Sequence, residues 1–405
     1  MATTAPPRRP GLASHPFLSI CELGVKMTAT CTFWTAGVLA LGVAFASCGP
    51  GADAQSGGRP VPYKLGTFER NSQPFLGLVL RDMQVVDIAQ ANTAWEGRNA
   101  SAPKMAAPGD MKQLIAGYDT GWKERLAAIA SAEAAASSAP AYSYAMDSLR
   151  ILPPVTPSLL LNAGGNYAEH SQGIAEQQAR ASGAAAPPPP APAAETAPGI
   201  WERRAGDTRE NPYLFLKSPT VVTGAKDPIH VPRGRDRIDF ECEFAVVVGR
   251  RAKYVPIDRV ADHIFGYTIE IDVSDRGGRG DRKMGGSDWL VGKNHDTFGP
   301  LGPVIVPKEF LPQPMNTRHT FTLNGTVMQD SNTSRMTHNI HELLHYASNI
   351  LTLGPGDIIA GGSPAGTNIE RAEPRWMRAG DTAVCTIEGI GVQTHAVMNE
   401  PASTN

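Results

Sequence analysis

From Asn211 to the C-terminus, glycine and proline cut the chain into short β-prone runs, and this spacing limits the fold more than any other feature. Thr220–Val222, Ile238–Val248, Ile264–Val273, Gly302–Val306, Thr320–Leu323, Asp357–Ala360 and Ala383–Ile387 read as strands bounded by turn residues. One clear helix runs among them, from about His338 to Ile350. The pattern excludes an alternating βαβ enzyme and an all-helical bundle. It predicts an α+β, β-rich roll or sandwich with few helices. Gly (41) and Pro (34) make up nearly a fifth of the 405 residues, above the roughly 12% of average usage, in keeping with many turns.

Upstream, Tyr63–Leu80 alternates around a polar turn at Asn71-Ser72-Gln73-Pro74 and predicts a hairpin; Met83–Ile88 adds a strand. Met111–Ala136 predicts a helix with Leu114, Ile115, Leu126 and Ile129 on one stripe. Residues 60–150 therefore read as a small N-terminal α+β domain ahead of a larger domain over 151–400. The stretch 181–200 is Ala/Pro-rich, cannot pack a core, and is read as a flexible insertion.

Phe33–Ala46 is an uncharged apolar run of fourteen residues, short of the ~20 that span a bilayer, so a signal-peptide core is expected rather than an anchor. Ala52-Asp53-Ala54 supplies a cleavage pattern, which makes 1–54 a signal peptide with an upstream segment. Lys26 before Met27 fits a start at Val25, with 1–24 not made. Phe45-Ala-Ser-Cys48 loosely matches a lipoprotein box. The expectation is an exported, periplasmic protein, free or lipid-anchored at Cys48, without a transmembrane helix. Of five cysteines only Cys242 and Cys385 follow that cleavage site. A disulfide framework is excluded, and a single bridge is allowed but not demanded. With 37 basic against 39 acidic residues, nucleic acid and anionic membrane are poor partners.

The chemistry concentrates in Asp239-Phe-Glu-Cys-Glu-Phe-Ala-Val-Val-Val-Gly249. Alternation places Glu241 and Glu243 on one face and Cys242 and Phe244 on the other. Burying two such acids unpaired costs several kcal/mol; either a hard divalent cation (Mg²⁺, Mn²⁺ or Ca²⁺) resolves the repulsion or the strand end is solvated. Asp272, at a strand end before a Gly-rich loop, suits a ligand or a turn equally. His341-Glu-Leu-Leu-His345 matches the zinc-peptidase motif, without the Gly and His of its extended form, since Ser348 and Leu351 stand there. Gly361-Gly-Ser363-Pro-Ala-Gly366 is not a hydrolase elbow, because Pro364 has no N–H for an oxyanion hole. Ser363 is read as a turn hydroxyl beside a ligand pocket.

Further pieces occur in a consistent order: Asn166-Tyr-Ala-Glu-His170, Phe215-Leu-Lys217-Ser-Pro-Thr220, Gly266-Tyr-Thr-Ile-Glu-Ile-Asp272-Val-Ser274 and Asp288-Trp-Leu-Val-Gly-Lys293. They continue with Phe298-Gly-Pro-Leu-Gly-Pro303, Met328-Gln-Asp-Ser-Asn332, Thr352-Leu-Gly-Pro-Gly-Asp357 and Gly362-Ser-Pro-Ala-Gly366. With the acidic strand, they resemble the fumarylacetoacetate hydrolase family over roughly 160–395. The resemblance implies a β-rich roll that usually forms a homodimer and binds Mg²⁺ or Mn²⁺ through Glu241, Glu243 and Asp272. It implies His170 as general base and Lys293 as a cation beside the metal, with Tyr167, Lys217, Arg276, Arg279 and Ser363 around the substrate. Two departures stand out. Some relatives pair the histidine with a Glu three residues on, where this chain has Gly173, and Glu176 is the nearest substitute. Arg279 replaces a usual substrate-contacting Gln, which favours an anionic substrate group.

The expected reaction is metal-assisted hydrolysis of a C–C bond in a 1,3-dicarbonyl or acylpyruvate-like oxo acid, with His170 activating water. Decarboxylase, hydratase or isomerase chemistry at the same site is the alternative. A zinc peptidase on His341 and His345, and a non-catalytic binding protein, are the more distant readings.

Overall fold

The computed structural model describes residues 60–183, 207, 209–278 and 288–402. The signal segment read at 1–54 with its Cys48 anchor, the Ala/Pro insertion beyond Gly183, and Arg279 lie outside them.

Lys64–Arg70 and Gln73–Leu80 pair antiparallel as the predicted hairpin. Asn71 and Ser72 close it with φ of 51° and 60°, the turn handedness that matches strand twist. Gln84–Asp87 adds the next strand, and three helices follow: Ile88–Arg98, Met111–Ala116 and Trp122–Ala135. The single helix predicted over Met111–Ala136 is thus broken. Gly121, at φ 131°, takes a conformation that a side chain disfavours and lets the chain turn and restart.

These first strands continue a twelve-stranded sheet. Its path runs from Ser143–Ala145 through Gln84–Asp87, Gln73–Leu80, Lys64–Arg70, Gly299–Pro307, Ile264–Ile271, Cys242–Val248, Ile358–Ala360 and Leu160–Ala163 to Leu214–Lys217. The 60–150 segment joins it where Leu65 pairs with Ile305. A second sheet of five strands comprises Thr326–Asn332, Arg318–Leu323, Thr382–Ile387, Gly391–Asn399 and Ile229–Val231.

The strand Cys242–Val248 lies at the middle of this assembly, and all seven of its residues are buried. Cys242, Phe244, Val246 and Val248 enter the core shared with Phe321, Ala383 and Ile387 of the second sheet. Ala245 and Val247 enter the opposite core, with Leu114, Leu126 and Ile129 of the N-terminal helices. A disulfide between Cys242 and Cys385 fastens the two sheets across 143 residues of sequence, filling the single bridge that the cysteine count allows. The architecture is the predicted β-rich α+β class. Ile340–Ile350 forms the expected helix, capped by Asn339 and Glu342. No helix among the described residues is long and apolar enough to cross a membrane.

His319, on the second sheet, is buried beside the Tyr167 hydroxyl, 3.3 Å from its Nε2. Burial pushes its pKa down to about 4, so it folds neutral. In the unfolded chain it titrates near the ordinary value of about 6.5. Between these values the unfolded state binds more protons, so the stability present above pH ~6.5 is lost as pH falls towards 4. Thermal unfolding at pH 5 against pH 7 should show this group costing about 2 kcal/mol. His319→Gln should flatten that part of the slope; an unchanged slope would assign the acid lability to other groups.

Candidate active site

Glu243 pairs with Glu270 and Cys242 with Ile271 across the central strands, and the Asp272 N–H donates to the Glu241 carbonyl at 2.9 Å. Partners in an antiparallel ladder share a face, so Glu241, Glu243, Glu270 and Asp272 all project to one side. Oxygens of Glu241, Glu243 and Asp272 come within 4.8 Å of one another, and all three residues are buried. Gly362 closes one flank. Its N–H donates to Glu243 Oε2 at 2.8 Å, and its φ of 91° with Ala163 O and Asn166 Cβ 2.8 Å from where a Cβ would sit admits no side chain.

Lys217 shows how the acids become enclosed. Its strand is four places from Ile264–Ile271 in the sheet path, which on a flat sheet is roughly 19 Å, beyond the reach of a lysine. Yet Lys217 Nζ donates to Asp272 Oδ1 and to the Phe298 carbonyl and lies 3.5 Å from Glu270 Oε1. The sheet curls into a roll with the carboxylates inside. Lys293 Nζ donates to Glu241 Oε2 at 2.6 Å, to Asp272 Oδ2 and to Ser274 Oγ at 2.7 Å. Arg276 bridges Glu241 and Asp239.

Five buried carboxylates, Asp239, Glu241, Glu243, Glu270 and Asp272, thus face three cationic side chains. Burial opposes ionisation of Glu241, but Lys293 and Arg276 hold it well below the usual carboxylate range. Burial and the neighbouring acids push Glu243 well above that range. Burial, opposed by Lys217, lifts Glu270 to about 8; burial also raises Asp272 against Lys217 and Lys293. This excess of carboxylates over cationic partners, presented as oxygen ligands only, fits a hard divalent cation.

His170 is the third residue of the helix Ala168–Ser182. Its Nδ1 is hydrogen-bonded to Glu370 Oε1, and its Nε2 lies 3.9 Å from Glu241 Oε1. Glu370 was not singled out from the sequence. It also accepts from the Gly366 N–H (3.0 Å), the Thr367 N–H (3.2 Å) and Thr367 Oγ1 (2.6 Å). Burial opposes these bonds, yet together with His170 they keep its pKa low. A Cβ on Gly173 would lie 2.9 Å from Glu370 Oε2: this carboxylate fills the space that a longer side chain at 173 would take. Glu176, the substitute read from the sequence, is corrected accordingly. It bonds Gln172 at 2.9 Å and pairs with Arg180 at 3.6 Å on the solvent side of the helix.

Three residues read as substrate contacts are engaged within the protein itself. Tyr167 is fully buried, its ring in the core shared with the second sheet. Lys217 is fully buried against the acids, because the curl carries it inward. Arg276 is occupied by Asp239 and Glu241. Asp239 in turn accepts from the Asn368 and Ile369 N–H groups (2.9 and 3.2 Å), so it ties the Glu370 turn to the acidic strand. Ser363 is a buried turn hydroxyl, accepting from Gln329 Nε2 at 2.9 Å. The zinc reading also falls. His345 Nδ1 bonds the Val255 carbonyl at 2.7 Å, Glu342 caps its helix and pairs with Arg209, and no cluster of three metal-ligating residues includes either histidine among the described residues.

The profile described as "Fumarylacetoacetate (FAA) hydrolase C-terminal" matches residues 161–398. This chain belongs to the fumarylacetoacetate hydrolase family. It is 36% identical over 189 residues to the mitochondrial oxaloacetate tautomerase fahd2 of Xenopus laevis, covering 47% of this chain and 59% of that protein; the match thus spans little more than half of that relative. It is 41% identical over 191 residues to an uncharacterized protein of Pyrococcus abyssi, covering 47% of this chain and 81% of the other. Among solved structures it is similar to the 5-carboxymethyl-2-hydroxymuconate delta-isomerase of Mycobacterium smegmatis. There the TM-score is 0.56 and the identity 27%, covering 84% of this chain and 100% of that one. The frog relative and the mycobacterial structure are described as a tautomerase and an isomerase. The expectation of an exported, periplasmic protein is overturned: similar family members are mitochondrial or archaeal, which does not fit that compartment.

Proposed function

We propose that this family member hydrolyses a C–C bond in an acylpyruvate-type 1,3-dicarbonyl acid, with Glu241, Glu243 and Asp272 holding a divalent cation. The observation that carries this reading is the His170–Glu370 pair directed at the acidic cluster. When bound, the cation supplies Lewis-acid polarisation of the substrate's carbonyl oxygens. Glu370, as a carboxylate, accepts from Nδ1–H. That fixes the tautomer in which Nε2 carries the lone pair on the side of the acids. Nε2 takes a proton from water as its oxygen adds to the acyl carbon; the bond from that carbon to the methylene breaks, and the proton returns to the methylene carbon. Lys293, already bonded to Glu241 and Asp272, keeps the two carboxylates in place.

A second reading is tautomerase or isomerase chemistry, favoured by the names of the frog relative and the mycobacterial structure. It needs only the proton shuttle of His170, from one carbon or oxygen to another. Incubating acetylpyruvate with the Mg²⁺-loaded protein and following products by NMR separates the two. Equal acetate and pyruvate are expected. Intact acetylpyruvate together with fast enol-to-keto conversion of oxaloacetate would hand the assignment to the second reading.

A further inference from the structure

Phe215 and Lys217 alternate on one strand, so both project from the sheet face that carries the carboxylates. Asn162, paired with Phe215, marks that face, since its Nδ2 donates to Glu270 Oε2 at 3.0 Å. Lys293 Nζ, while bonded to Glu241 and Asp272, lies 5.2 Å from the centroid of the Phe215 ring. Trp289, one turn earlier on the short helix of Lys293, stacks on Phe215 at 4.6 Å and 27°. Tyr213 follows at 5.8 Å from Trp289. The three rings form a ladder from a buried cation to the surface: Phe215 is buried, Trp289 half-buried, and Tyr213 52% exposed.

The outer end of the ladder reaches the other side of the site. Tyr213 packs so closely on Gly164 that a Cβ there would lie 2.8 Å from its Cδ1, and its carbonyl accepts from the Gly164 N–H at 2.9 Å. Gly164 belongs to the turn that leads into the helix of His170. The rings thus run between the element carrying Lys293 and the one carrying the base. Leu290, next to Trp289 in sequence, stands exposed at 74%. Exposed aromatic and apolar surface next to buried charge marks a binding surface.

We infer that Phe215, Trp289 and Tyr213 form the wall that receives a flat aromatic or conjugated substituent of the substrate, beyond its oxo-acid head. This rests on the oxo-acid reading above and narrows it. With Phe215 buried behind them, the exposed surfaces of Trp289 and Tyr213 favour a planar π-system by stacking and cannot hydrogen-bond a polar tail along their faces.

The test compares benzoylpyruvate with acetylpyruvate, which share one head and differ only in the tail, by isothermal titration into the Mg²⁺-loaded protein. Wild type should bind the benzoyl acid at least about fivefold tighter. Trp289→Ala should erase most of that ratio, Trp289→Phe should keep it, and Tyr213→Ala should reduce it partway. Equal affinities in wild type, or an unchanged ratio in Trp289→Ala, would overturn the wall while leaving the oxo-acid reading in place. Tight benzoylpyruvate binding without turnover would support the wall and reject hydrolysis. Binding of neither acid would reject both.

Discussion

Glu243→Gln should yield a folded protein that retains no divalent cation and has lost activity by roughly 10²–10³-fold or more. Glu243 is the member of the triad least served by cations: Lys293 and Arg276 hold Glu241 and Lys217 serves Asp272, whereas burial and neighbouring acids oppose ionisation of Glu243. The cation is then its natural counter-charge, and a neutral amide is a weak ligand for a hard ion. Without the cation, burial and the neighbouring acids already disfavour the charged form of Glu243, so the neutral amide costs little and the melting temperature of the chelator-treated variant should not fall below that of chelator-treated wild type. Elemental analysis, turnover and thermal unfolding read these effects separately. A variant with wild-type metal content would move the metal away from these three residues.

Replacing Glu370 should act on a different step. Glu370→Gln is expected to keep the cation and to lower kcat by about 10²–10⁴, the range for losing an oriented general base, with little change in KM. The reason is positional: Glu370 does not approach the acids but fixes which nitrogen of His170 carries the proton. Because its carboxylate fills the space above Gly173, Glu370→Ala combined with Gly173→Glu should regain part of the lost rate. Metal analysis beside kinetics separates this outcome from that of Glu243→Gln. Wild-type kcat in Glu370→Gln would leave His170 acting without its partner.

The Glu241 and Glu243 pair was legible because a strand's two-residue period is strict: two glutamates two positions apart in a run ending in three valines must share a face, whatever surrounds them; Asp272 joined them only through the family motifs. His170 and Lys293 were legible only through family motifs. Glu370 was hidden by distance, lying 200 residues from His170, and its own setting, Thr367-Asn-Ile-Glu370, carries the signature of a capping box. It does serve as one, with the same carboxylate bonding the histidine. Lys217 and Tyr167 were misplaced for a related reason. Periodicity says which face a side chain takes but not how the sheet bends, and it is the curl that turns Lys217 inward. The helix of His170 passed unread because Gly173 and a polar composition, Ala-Glu-His-Ser-Gln-Gly, weaken its signal.

The hairpin that opens the described chain lies outside the stretch shared with the family, 161–398, yet Leu65 rests against Ile305, and Val247, Leu301 and Ile358 share their core with the helices that follow it. Trimmed to the shared stretch, the protein would offer an unfinished border of peptide groups along Gly299–Pro307, ready to template another chain, and an uncovered oily floor behind the acidic strand. The leading segment is therefore scaffolding for the acidic strand, though none of its described residues joins the acidic cluster.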